Sequence, residues 1–133
     1  MKYARGNALL SGVLLGCVFG CDKGDLPNLA PVNGIVTLDG TPLANKEVIF
    51  APENGRPSIG RTDENGKYEL KYTAEIDGAI IGQHAVKIST PLPEGGNYAG
   101  YKETVPKKYN AESSLKEEVK SGRNTKNFDL KSK

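Results

Sequence analysis

Apolar and polar positions alternate in short bursts along most of this chain, and the clearest burst sits near its middle. Tyr68, Leu70 and Tyr72 alternate with Lys67, Glu69 and Lys71, a strict period of two that predicts a strand with one face on a core. Residues 34–38 are rich in β-branched side chains and end at Asp39-Gly40, a pair suited to a two-residue hairpin. Residues 46–51 form the next predicted strand, and the consecutive Val48, Ile49 and Phe50 predict cover on both of its faces. Residues 58–62 are expected to pair with 67–72 across Asp63-Glu64-Asn65-Gly66, whose last two residues suit positive φ. Residues 82–90 predict a strand with Val86 and Ile88 inward, and 115–120 with 127–130 predict a closing pair around Ser121-Gly122. Ser114 to Glu117 also fits a helix capping box, but too few residues remain before Gly122 for a stable helix. No helical period lies between these segments. Together they predict an all-β sandwich of about seven short strands, with Tyr68, Leu70, Val86, Ile88, Phe128 and Leu130 in one core.

The N-terminus follows a different pattern. Residues 6–21 carry no charge and are preceded by Lys2 and Arg5, the arrangement of a secretory signal. The run is shorter than the roughly 20 apolar residues that span a bilayer. Gly12, Gly16 and Gly20 argue against a buried helix. Its end, Leu14-Leu15-Gly16-Cys17, resembles the lipobox of bacterial lipoprotein signals, in which the cysteine receives a diacylglycerol group and becomes the new N-terminus. Cys17 is therefore the expected attachment site. Val18-Phe19-Gly20-Cys21 is the alternative, favoured by the polar "DKGD" that starts with the next residue. On this reading residues 1–16 are a signal peptide, 17–31 a lipid-anchored tether, and 32–133 the folded domain. Two or three acyl chains suffice for firm membrane attachment. The expected location is extracytoplasmic, on the periplasmic or cell-surface side, with the membrane as first partner.

Charge refines this only slightly. Lys2 and Arg5 account for the whole formal charge of +2, leaving 16 residues of each sign, so no general nucleic-acid footprint remains. Residues 102–133 hold 9 basic and 5 acidic residues. A guarded edge strand explains that excess more simply than a basic binding face. Both cysteines, Cys17 and Cys21, belong to the anchor segment, so no disulfide framework supports the domain.

The stretch "NGIVTLDGTPLANKEVIFAPENGRPSIGRTDENGKYEL" resembles the carboxypeptidase regulatory-like domain, a transthyretin-like, immunoglobulin-like β-sandwich. The shared positions are Gly34, Val36, Gly40, Pro42, Leu43 and Val48, then Gly60, Thr62, Asp63, Gly66 and Tyr68. The order of lipobox, tether and domain resembles small lipoproteins of planctomycete bacteria, as do Gly82-Gln83-His84-Ala85-Val86-Lys87-Ile88 and Val105-Pro106-Lys107-Lys108-Tyr109-Asn110. The likeness covers nearly the whole chain and implies a fold. It implies no catalytic residue, because in carboxypeptidases the domain is an accessory module.

The residue inventory argues against an enzyme and against a cofactor. His84 is the only histidine; it lies on the inward phase of its strand and is expected to be structural. One histidine with no cysteine outside the anchor segment falls short of a zinc site. Asp63, Asn65 and Glu69 lack the register of a calcium loop. The remaining candidates lie in residues 91–110, "PLPEGGNYAGYKETVPKKYN", a loop long enough to suggest function. Tyr98, Tyr101 and Tyr109 sit there among glycines and lysines, as rings that bind sugars or protein do. The alternative role for these rings is to cap the open end of the sandwich. Two functions are thus expected to compete: an envelope binding or adhesion module for protein or carbohydrate, and a purely structural spacer whose sheet edges pair with a partner. A secreted soluble domain is a further alternative.

Overall fold

The computed structural model describes residues 26–133; the signal-like run, Cys17 and Cys21 lie outside the described residues. Among the described residues there are thirteen short strands: β1 (Leu29–Ala30), β2 (Val32–Leu38), β3 (Thr41–Pro42), β4 (Glu47–Pro52), β5 (Ser58–Arg61), β6 (Lys67–Glu69), β7 (Lys71–Thr73), β8 (Ile76–Asp77), β9 (Ala79–Ile80), β10 (Gly82–Ser89), β11 (Leu115–Val119), β12 (Asn124–Thr125) and β13 (Phe128–Leu130). One sheet has the order β11-β10-β4-β5-β7-β8. The second centres on β2, flanked by β12 and β13 on one side and by β3 and β6 on the other. The chain is an all-β sandwich.

Alternation decides which side chains fill it. Val48 and Phe50 of β4, Val86 and Ile88 of β10 and Val119 of β11 are buried from the first sheet; Val32, Val36, Tyr68, Phe128 and Leu130 meet them from the second. Phe50 and Phe128 stand edge to face with ring centroids 6.2 Å apart and join the two sheets. All six expected core residues belong to this cluster. Tyr72 is only half-buried, with Arg56 above its ring at 5.7 Å.

The Asp39-Gly40 turn forms as expected. Both residues have positive φ (51° and 85°), and Leu38 faces Thr41 across them. Two expected pairings differ. Asp63 and Gly66 close their turn, with the Gly66 N–H donating to the Asp63 carbonyl at 2.9 Å, but beyond it the strands part. β6 pairs with β2, and the ladder between β5 and β7 consists of Ile59 opposite Lys71. The cause is Tyr68, which leans across Gly34 and donates its hydroxyl hydrogen to the Lys126 carbonyl at 2.6 Å in the second sheet. Leu70 then returns the chain to the first sheet. The expected closing pair of 115–120 with 127–130 is likewise replaced. β11 runs antiparallel to β10 in the first sheet, and β13 runs parallel to β2 in the second. Buried Asn124 pins the crossing, accepting from the Lys120 N–H at 2.9 Å and donating to the Lys120 carbonyl at 2.8 Å.

The end of the segment expected to be a tether also differs. Leu29 and Ala30 pair with Ile80 and Ala79, and Ala30 is buried. The fold therefore begins before residue 32.

Candidate functional site

The chain enters the sandwich beside the start of β10, where the Ile81 N–H donates to the Asn28 carbonyl. β10 then runs eight residues to Ser89, a rise of about 23 Å at ~3.3 Å per residue. The loop that follows, 90–110, therefore sits at the pole opposite the N-terminal entry. The β2–β3 turn and the C-terminal residues share this pole, since the Lys131 N–H donates to the Tyr109 hydroxyl of the loop and the Ser132 hydroxyl and N–H both donate to the Asp39 carboxylate, at 2.6 and 3.0 Å. Those two bonds hold the Asp39 carboxyl below the usual carboxylate range.

The base of the loop is built around Glu103. Its carboxylate accepts from the Thr90 N–H at 3.0 Å, the Thr90 hydroxyl at 2.8 Å and the Val105 N–H at 2.9 Å, with the Tyr101 hydroxyl at 3.4 Å. Partial desolvation pushes this carboxyl up, but the four donors together outweigh it and leave the group below its ordinary value. A second anchor is Asn110, whose side-chain amide donates to the Ile88, Val105 and Pro106 carbonyls at 3.1–3.2 Å. Val105 between them is buried in the core. Glu103, Val105 and Asn110 were not among the candidate residues read from the sequence. Val105 and Asn110 do stand at the two ends of the "VPKKYN" motif, and their contacts give that motif a structural meaning.

The three candidate tyrosines have three different environments. Tyr98 is 54% exposed, and Leu92 nearby in the sequence is 61% exposed. Tyr101 follows Tyr98 in one turn, its N–H donating to the Tyr98 carbonyl at 3.0 Å. Its single hydroxyl hydrogen is shared between the Thr90 carbonyl at 3.2 Å and the Glu103 carboxylate at 3.4 Å, and partial desolvation followed by the neighbouring Glu103 raises its pKa. Tyr109 packs against the core, accepts the Lys131 N–H at 2.9 Å on its hydroxyl, and has the Lys108 ammonium 5.3 Å from its ring centre. Of the three, only Tyr98 is largely exposed. Between Pro93 and Tyr101 the backbone turns on Gly95, Gly96 and Gly100, all at positive φ with open space around them. The loop is thus a glycine-shaped tip on a hydrogen-bonded base.

Elsewhere, a groove of about 540 Å³ opens where β5 and β6 part, lined by Ile59, Arg61, Lys67, Glu69 and Lys71 among others. His84 is buried against Phe50 at 5.5 Å between centroids, and its Nε2 donates to the Ile80 carbonyl at 2.6 Å. Among the described residues its Nδ1 has no partner, nor has the buried Ser58 hydroxyl. The expected structural role of His84 is thus carried by one of its two nitrogens. Among the described residues no three His, Cys, Asp or Glu side chains converge as a metal site, and no helix is long and apolar enough to cross a membrane. No family model, curated protein or solved structure matches the chain.

Proposed function

We propose that this chain is a lipid-anchored, extracytoplasmic binding or adhesion module of the cell envelope, a non-enzymatic β-sandwich of the carboxypeptidase regulatory-like, transthyretin-like type. Attachment is through Cys17, with Cys21 as the alternative, and the partner is an envelope protein or polysaccharide. The observation that carries the reading is polarity. The chain enters at one end of the sandwich, and the built loop with exposed Tyr98 and Leu92 stands at the other. A domain tethered by its N-terminus presents that loop away from the membrane. An aromatic ring held on a rigid base is an economical contact group, because little freedom is lost on binding.

One observation favours the spacer reading instead: Tyr101 and Tyr109 spend their hydroxyls inside the fold. Tyr98→Ala separates the two functions. Cosedimentation of the full chain with protease-treated envelope polysaccharide, and retention on immobilised envelope protein, measure binding. We expect the wild type to be retained by one of them and Tyr98→Ala to be lost from it, with unfolding unchanged within ~0.5 kcal/mol, as for other exposed positions. Retention of neither protein on either material establishes the spacer, and equal retention of both overturns the contact through Tyr98.

A further inference from the structure

Among the described residues, the outer edge of β11 has no strand beside it. Residues of an antiparallel strand point both backbone polar groups to alternate sides. The Val86 and Ile88 carbonyls point toward β11, where they accept from the Ser113 hydroxyl at 2.6 Å and the Asn110 amide at 3.1 Å. Leu115 and Glu117, opposite Val86 and His84, therefore turn their backbone groups inward to β10. Lys116 and Glu118 turn theirs to the open edge. Their side chains are exposed on the outer face of the sheet.

From this edge we infer that β11 pairs antiparallel with β11 of a second copy about a two-fold axis through Glu117, making one continuous sheet. Charge selects both partner and register. An edge guarded by charge normally repels other edges, but here the two guards have opposite sign and stand two residues apart. Centring on Glu117 sets Lys116 of each copy opposite Glu118 of the other and allows four ladder hydrogen bonds. Centring on Lys116 or on Glu118 would also set like charges face to face, but without the two attractive pairs that offset them here. On the inner face the same register sets half-buried Leu115 against buried Val119 of the other copy. The two Glu117 side chains meet on the axis, each already paired with its own Lys126 at 3.3 Å. At the far edge of the sheet β8 is only two residues long, too short to compete. The edge lies wholly within the described domain, so the inference stands independently of lipid attachment and of the loop.

The test is sedimentation equilibrium of the full chain in detergent, with cross-strand charge reversal. The wild type is expected to dimerise reversibly. K116E and E118K each convert two attractive pairs to two repulsive ones, and each is expected to weaken the dimer about tenfold or more. K116E/E118K restores complementarity and with it the dimer. Both substituted positions are exposed, and matching circular dichroism melts confirm that each of the three variants is folded. A monomeric wild type, a dimer indifferent to the single reversals, or a double variant that stays monomeric overturns the inference.

Discussion

Leu70→Ala is expected to destabilise the domain by about 2–5 kcal/mol, the range for deleting a large buried side chain into a core that cannot collapse around it. Leu70 is fully buried, and its backbone is fixed on both sides. Its N–H donates to the Val32 carbonyl, and its own carbonyl accepts from the Gly78 N–H, each at 2.9 Å. This is the residue at which the chain crosses from β6 in one sheet to β7 in the other. The crossing backbone cannot shift to fill the void without giving up one of those bonds. Urea unfolding followed by far-ultraviolet circular dichroism measures the change. A loss below ~1 kcal/mol would place Leu70 outside a packed core and contradict the alternation from which its burial is derived.

Gly34→Ala is expected to cost about 3 kcal/mol, the upper part of the range for overpacking. A Cβ at this position would lie 1.9 Å from the Lys126 carbonyl oxygen and 2.6 Å from its carbon. Those are backbone atoms, and they are tied. The Lys126 N–H donates to the Asn33 carbonyl at 2.8 Å, and its carbonyl accepts the Tyr68 hydroxyl at 2.6 Å. Moving them breaks the seam between β2, β6 and the segment joining β12 to β13. Tyr68 reports the damage directly, because burial, with a smaller effect from Glu117, raises the pKa of its hydroxyl. In Gly34→Ala the tyrosine ultraviolet titration should regain a phenol ionising nearer its ordinary range. An unchanged denaturation midpoint would show that the two segments separate freely and that the seam is not a fixed contact.

The sandwich was legible because one-sided burial writes itself as period two. Val86 and Ile88, and Phe128 and Leu130, each alternate within a strand, Tyr68 and Leu70 alternate across the break between β6 and β7, and each pair reaches the core. Strand partners were less legible, for a physical reason. Alternation says which face of a strand is buried but not which sheet it joins. Lys67 to Tyr72 reads as one strand, yet Tyr68 is committed to β2 and Lys71 to β5. The return of β13 parallel to β2, joining residues 92 positions apart through Phe128 and Val36, leaves no local signal.

The site divides along the same line. The loop was visible by its length and its glycines, and Tyr98 by its type. What holds the loop, Glu103 on Thr90 and Asn110 on Ile88, depends on contacts between residues that sequence spacing does not mark. Tyr109 is the sharpest example. In sequence it is one more tyrosine beside lysines, but its hydroxyl caps the strand that ends at Leu130 by accepting the Lys131 N–H.

The proposed function rests first on the anchor, and intact mass tests it most directly. The full chain is expressed in a bacterial host beside Cys17→Ser and Cys21→Ser, extracted by detergent partitioning, and weighed before and after lipid removal. The expected result is a wild-type protein beginning at Cys17, carrying a diacylglyceryl group and partitioning into detergent, with both features lost in Cys17→Ser and kept in Cys21→Ser. Loss in Cys21→Ser alone moves the attachment to the second cysteine and leaves the anchor standing. A lipid-free protein that begins after the apolar run and stays in the aqueous phase contradicts the account, and makes this a secreted domain.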